Sequence, residues 1–280
     1  MPALPATNLT LHLDASNNGT LFKTYVSGGP NTGVPVNDDV IEAWEDATGA
    51  NRIGKKFSTN NLPLVKIAAP LMPLQCLEYT VAASKGMILT DKSGSQLNAS
   101  TILSSSAFTV FVAYYATSIG GPAAPSYTTP GPFADSGGYW GLHNANIAGV
   151  ESIAAYNYDG TGAYVTAPAP INATHVAMMR HESGNLYLSV DGGSESSTAS
   201  GNTASLAQAV FMGRTVTAHW DGRIGEIAVY NVALTGADLS DAIAYFTDKW
   251  VVGGGGAFGW VGVSSLVDPP LQPPHSGHAF

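Results

Sequence analysis

In Gly184-Asn185-Leu186-Tyr187-Leu188-Ser189-Val190-Asp191-Gly192-Gly193, the apolar Leu186, Leu188 and Val190 alternate with Tyr187, Ser189 and Asp191, and the run stops at a glycine pair. Successive side chains of an extended strand point to opposite faces, so this spacing gives one face to a core and one to solvent. Asp191-Gly192-Gly193 is a hairpin-type turn. The same pattern recurs along the chain. Leu9, Leu11 and Leu13 alternate with Thr10, His12 and Asp14 before the turn-rich Asn17-Asn18-Gly19, and a second segment, Val40 to Trp44, stops at Asp46-Ala47-Thr48-Gly49. Glu151 to Tyr158, His175 to Arg180, Ala209 to Gly213 and Arg223 to Tyr230 read as further strands, the last placing Ile227 and Val229 opposite Glu226, Ala228 and Tyr230. In Phe108 to Tyr115 every residue but Thr109 and Ala113 is large and apolar, which predicts a central strand buried between two layers. Eight or more strands separated by turn signals specify an all-β fold, a sandwich or jelly roll.

Helical periodicity occurs once. Thr235 is placed to cap a helix whose first turn holds Asp238, and Leu239, Ile243, Phe246 and Trp250 then form an apolar stripe that should lie against a sheet. Beyond it come Gly253 to Gly256, an apolar patch, and the pairs Pro269-Pro270 and Pro273-Pro274. The expected organisation is one jelly-roll domain over residues 1–252 and a Gly/Pro-rich tail or assembly arm over 253–280. In that arm Phe258, Trp260, Val261, Val263 and Leu266 would leave apolar area in water if free, so a docking surface is expected, either on a neighbouring subunit or on the chain's own sandwich. Gly120 to Gly138, with four prolines, five glycines and no periodicity, predicts a long exposed loop.

The 280-residue chain is 45% hydrophobic and only 11% charged, so its surface must be covered mainly by Ser, Thr, Asn and Gly. A net charge of −9 with only 11 Lys and Arg leaves no basic footprint for nucleic acid or anionic lipid. The single cysteine, Cys76, excludes an intrachain disulfide, and its neighbours Leu74 and Leu77 suit a buried hydrophobe. Met1 to Ser16 has no cationic n-region, so the chain reads as made in a cytoplasm without a signal peptide. Val251 to Val267, an uncharged and largely apolar stretch, carries six glycines, which argues against membrane insertion.

Several segments together resemble the concanavalin A-like (laminin-G-like) jelly-roll family. Leu11-His12-Leu13-Asp14-Ala15-Ser16 followed by Trp44-Glu45-Asp46-Ala47-Thr48-Gly49 is similar to the opening of such modules, Phe108-Thr109-Val110-Phe111 to their buried strand, and Gly184 to Gly192 to their hairpin. The block Phe211-Met212-Gly213-Arg214 through Trp220 to Asn231, ending in Leu234 and the helix that closes at Trp250, carries most of the likeness. The order and spacing cover residues 9 to 250. The resemblance implies two curved antiparallel sheets whose concave face and rim loops are available to sugars or protein partners. Members of this fold serve as glycan-binding modules, adhesion domains, glycoside hydrolases and virion components, so function must be argued from the site.

Retaining glycoside hydrolysis needs two carboxylates about 5 Å apart on one face, hence two or four residues apart along one strand. Arg223 to Tyr230 offers Glu226 alone, with Ala228 and Tyr230 at the required positions, so no catalytic residue is assigned and a non-enzymatic protein is expected. The pairs His175 and His181, and His275 and His278, lack acidic or cysteine partners at zinc-type spacing. No cofactor is expected from spacing; for calcium, which family members sometimes hold, the loose candidates are Asp135, Asp159 and Asp221. Tyr139, Trp140, His143 and Asn144 offer an aromatic plate for a sugar's apolar face with polar groups for its hydroxyls. Alternatively, Tyr139 and Trp140 begin a strand and pack into the core.

An adhesion-type fold with neither export signal nor cystines suits a phage virion protein, which folds and assembles in the host cytoplasm and reaches the outside on lysis. The leading reading is thus a virion surface component, such as a capsid decoration, head fibre or tail fibre, with weak glycan affinity and a homo-oligomeric, trimeric state. Other virion proteins or copies of itself are the expected partners, with cell-surface glycan as a further one. A bacterial carbohydrate-binding module is the second reading. A glycoside hydrolase is the third; it requires a second acid beside Glu226 in space, and such a pair less than about 6 Å apart would overturn the leading reading.

Overall fold

The computed structural model describes residues 2–56, 62–66, 72–80, 86–119, 131–137, 139–158, 162–201, 206–214 and 219–251. The first sheet is built from β1 (Leu9–Asp14), β5 (Leu64–Lys66), β6 (Cys76–Tyr79), β8 (Ala107–Ala116), β13 (Thr174–Glu182), β14 (Asn185–Val190), β15 (Ser196–Ala199) and β17 (Gly222–Tyr230). The second contains β2 (Leu21–Phe22), β3 (Ala43–Glu45), β4 (Arg52–Lys56), β7 (Met87–Asp91), β9 (Phe133–Asp135), β10 (Trp140–Ile147), β11 (Val150–Tyr158), β12 (Gly162–Pro168) and β16 (Val210–Met212). Their spatial orders are β15-β14-β13-β8-β17-β6-β5, with β1 also on β17, and β12-β11-β10-β9-β16-β7-β4-β3-β2. The chain is an antiparallel jelly-roll sandwich with one C-terminal helix, α1 (Gly236–Trp250).

Alternation places the core where the sequence predicts it. Leu11 and Leu13, Leu186 and Leu188, and Ile227 and Val229 all point between the sheets, and β8 lies centrally, between β13 and β17. A bulge at Gly225 shifts the phase of β17, so Ile224 and Ile227 both face the inter-sheet core while Glu226, Ala228 and Tyr230 turn to the opposite side. Gly225 is required there because a Cβ would come within 2.4 Å of the Trp250 ring.

The helix covers that opposite side. Phe246 stacks on Phe111 at 5.1 Å, and Ala242, Tyr245 and Trp250 fill a second apolar layer with Cys76, Val176, Met178 and Tyr230. Leu239 and Ile243 pack at its margin. Cys76 is fully buried, and desolvation pushes its thiol pKa up to about 12, as expected of an inert core cysteine. No helix among the described residues is long and apolar enough to cross a membrane.

Three local expectations change. Thr235 occupies the N-cap position with extended backbone, but its side chain makes no capping hydrogen bond. Of Val40 to Trp44, only the end enters a strand, Val40 itself making an isolated bridge to Leu64. The stretch predicted as a loop from Gly120 to Gly138 contains β9, because Phe133 and Ala134 fill the gap between β10 and β16 and complete the second sheet. Residues 120–130 and 138 of that stretch lie outside the described residues, as do the tail positions Phe258, Trp260, Val261, Val263 and Leu266, together with His275 and His278.

A buried histidine links β13 to the turn after β14. His175 Nδ1 lies 2.7 Å from Asp191 Oδ2 and Nε2 lies 2.9 Å from the Pro170 carbonyl, so both ring nitrogens face acceptors and the imidazolium fits best. Burial alone would lower its pKa, but Asp191 and the carbonyl raise it above the ordinary value. The folded pKa therefore exceeds the unfolded one. The stabilisation is complete below about pH 6.5 and is lost as pH rises through the folded value. Denaturation midpoints should fall with rising pH over that window, and His175→Asn should remove this part of the slope.

Candidate carbohydrate-binding face

Strand geometry separates the four residues expected to form a sugar plate. Along β10, Trp140 and Leu142 join the core between the sheets, and Asn144 on the same side accepts a hydrogen bond from Trp220 Nε1 at 2.7 Å. Trp140 is fully buried, edge-on to Phe133 at 5.4 Å and 6.3 Å from Phe108. His143 turns to the outer face but is itself fully buried, its ring edge-on to Tyr156 at 6.0 Å. Only Tyr139 remains half-buried on the outer side, 5.5 Å from the Tyr158 ring. Period two thus makes Trp140 and Asn144 core residues and corrects the proposed plate, leaving Tyr139 as its one accessible member.

The neighbours of Tyr139 across the sheet supply what that plate lacked. β11 and β12 pair with Tyr156 opposite Tyr164 and Tyr158 opposite Gly162. Since Ile153, Ala155 and Val165 line the core, Tyr156, Tyr158, Tyr164 and Thr166 face outward. Tyr164 is 44% exposed, whereas Tyr156 beside it is 8% exposed. The Tyr156 hydroxyl reaches over Gly162, where a Cβ would approach it to 2.8 Å. Burial pushes the Tyr156 pKa up, with Tyr158 and Asp135 adding to the effect, so this hydroxyl stays a neutral hydrogen-bonding group. The result is a row of aromatic rings running inward from the edge strand β12. Such a row can stack on the apolar face of a sugar and hydrogen-bond its hydroxyls. The spacing Tyr156-x-Tyr158, with Tyr164 beyond the next turn, carried this signal in the sequence.

Glu226 does have an acidic neighbour, supplied by the adjacent strand rather than its own. Asp14 pairs with Glu226 in the β1–β17 ladder, and ligand atoms of His12, Asp14 and Glu226 lie within 4.8 Å of one another. The separation required for a retaining hydrolase is therefore met. Access is not. Glu226 is fully buried beneath α1 and is held by His12 Nε2 at 2.6 Å, Tyr245 Oη at 2.8 Å, Trp250 Nε1 at 2.7 Å and Lys249 Nζ at 2.8 Å. Lys249 also reaches Asp14 Oδ2 at 2.9 Å, so its ammonium bridges both carboxylates. Burial opposes ionisation of Glu226, but His12 and Lys249 outweigh it and hold the pKa below the ordinary carboxylate range. Burial likewise opposes the charge on Lys249, and Glu226 and Asp14 reverse that, keeping it an ammonium.

The same trio is the one group of three metal-type ligands among the described residues, and Lys249 occupies the place a cation would take. Of the loose calcium candidates, Asp135 is fully buried and accepts from the Tyr139 N–H at 2.7 Å, and Asp221 accepts from Ser118 Oγ at 3.3 Å. Asp159 lies outside the described residues.

No curated protein matches this sequence. Among solved structures the fold is similar to domain 4 of AbnA, a GH43 extracellular arabinanase from Geobacillus stearothermophilus, in complex with arabinotriose; the TM-score is 0.52 at 14% identity over 86% of this chain and 97% of that one. It is also similar to botulinum neurotoxin type C, whose penetration of cells depends on interaction with two ganglioside molecules, with a TM-score of 0.53 at 10% identity over 86% of this chain. This chain spans about half of that one, 52%. At such identities the likeness concerns the fold alone. Residues 89–240, more than half of the chain, match Laminin_G_3, and the protein belongs to this family of the concanavalin A-like lectin/glucanases superfamily.

Proposed function

We propose that this protein is a non-catalytic glycan-binding jelly roll that works as a surface component of a virion, as a capsid decoration, head fibre or tail fibre. The observation that carries the glycan reading is the outward tyrosine row of β11 and β12, with Tyr164 presented at the edge of a lectin-type sandwich. The similar domains seen with arabinotriose or dependent on gangliosides support sugar as the ligand class. A non-catalytic role is supported by Glu226 and Asp14, the closely spaced acids, both being engaged by Lys249 beneath the helix.

The virion reading draws support from an adhesion-type fold stabilised without disulfides, its one cysteine buried, and from a surface poor in charge. The tail composition, glycines followed by aromatic and aliphatic residues and then prolines, suits an arm that docks on a neighbouring subunit.

A glycan array probed with the full chain should give saturable binding to a restricted set of sugars, and incubation with those sugars should release no new reducing ends. Array silence would remove the glycan reading, and reducing-end release would remove the non-catalytic one. The solution mass of the full chain should be that of a defined oligomer, and a chain ending at Val252 should be smaller in state. If both are monomers, the assembly role fails and a free-standing carbohydrate-binding module becomes the better account.

A further inference from the structure

We infer that the ligand of the tyrosine face is a neutral saccharide lying along β12, with one sugar ring on Tyr164, an inference that rests on the glycan-binding function proposed above. Its basis is charge. From residue 93 to residue 179 the chain contains neither Lys nor Arg, and this stretch supplies β8 to β12 and most of β13. The tyrosine row thus sits on strands that carry no cation. The cations flanking the stretch are committed elsewhere: Arg180 is bonded to Glu195 and Glu182, and Lys92 lies 3.8 Å from Glu45. Apart from His175, which is on the other sheet and paired to Asp191, the charged residues inside the stretch are acidic, Asp135, Glu151 and Asp159. Glu151 already accepts a hydrogen bond from the Ile171 N–H at 2.9 Å.

A sialylated, sulfated or phosphorylated sugar would have to shed water from its anion against strands that carry no Lys or Arg, since Arg214, a cation on the same outer face, packs over Phe211 on β16, with β9, β10 and β11 between it and β12, in a protein of net charge −9. A neutral ring has no such cost. Its C–H face suits the exposed Tyr164 ring, and its hydroxyls can use Thr166, the neutral Tyr156 hydroxyl and the outer backbone edge of β12, the last strand of its sheet. Tyr156 and Tyr158 continue the aromatic surface inward, which favours an oligosaccharide over a single ring.

The test uses the full chain and matched pairs of neutral oligosaccharides and their sialylated or sulfated forms, with affinities from calorimetry. Neutral forms should bind, their acidic counterparts should bind at least about tenfold more weakly, and added salt should leave neutral binding unchanged. Tyr164→Ala should weaken neutral binding about tenfold at unchanged Tm, and Tyr164→Phe should restore it, because stacking needs the ring. Preference for acidic sugars overturns the inference, as does binding unaffected by Tyr164→Ala, and either result leaves the glycan-binding function standing. Absence of binding to every sugar, acidic and neutral, removes that function and the inference with it.

Discussion

Lys249→Met should lower folding stability by about 3–5 kcal/mol, the cost of removing one partner from a buried charge cluster. The ammonium of Lys249 touches Glu226, Asp14 and the Tyr245 hydroxyl at 2.8, 2.9 and 3.0 Å. Glu226 is fully buried, so without Lys249 it must stay charged with only dipoles and His12 around it, or take up a proton. Adding Glu226→Gln to Lys249→Met should recover most of the loss, because an amide can still meet Tyr245 and Trp250 without carrying charge. Chemical denaturation of the two single variants and the double variant supplies the cycle. If the double variant is no more stable than Lys249→Met alone, electrostatics is not what holds this cluster. A hydrolase working through Glu226 predicts something else, loss of turnover with little loss of stability.

Trp140→Ala should cost about 3–5 kcal/mol, the range for emptying a buried aromatic site. Its ring is packed by Phe108 and Phe133 between the sheets, with no exposed surface. Affinity for a neutral sugar, measured well below the lowered Tm, should be nearly unchanged. Tyr164→Ala should show the opposite behaviour, with Tm retained and affinity lost. Measuring both quantities on both variants therefore separates core from binding face. A Trp140→Ala protein of native stability and lost affinity would return the ligand to the surface first suggested by the sequence.

The strands that the sequence made legible were those whose apolar residues alternate without interruption, such as Leu186 to Val190, since one buried face is enough to fix their phase; in β1 the alternation holds for Leu11 and Leu13, but a register shift after Leu9 turns that residue to the helix side. The helix was legible from Leu239, Ile243, Phe246 and Trp250 for the analogous reason at period 3.6. β9 was hidden because Phe133-Ala134-Asp135 is flanked by prolines and glycines, and its place in the sheet depends on β10 and β16 rather than on its own pattern. The second acid beside Glu226 was hidden because spacing along one strand says nothing of the residue opposite on the next. The candidate face was half legible: Tyr139 was in view, but assembling it with Tyr158, Tyr156 and Tyr164 needs the register of three strands. Trp140 misled because a tryptophan and its chain neighbour belong to opposite faces.

The placement of β17 fixes the order in which this protein can be made. Among the described residues it is the last strand, yet it lies inside the first sheet, with β8 on one side and with β6 and β1, the first strand, on the other. His12 and Glu226, which meet across that junction, are 214 residues apart in sequence. A nascent chain on the ribosome that has already released β8 and β13 must therefore keep the other edge of β8 open until residues 222–230 emerge. Contacts this remote in sequence make for slow folding and a long interval in which an unpaired strand is exposed. Completion of the sandwich is a late, all-at-once event that coincides with arrival of the helix, so translation that stalls before β17 yields an aggregation-prone fragment rather than a smaller folded domain.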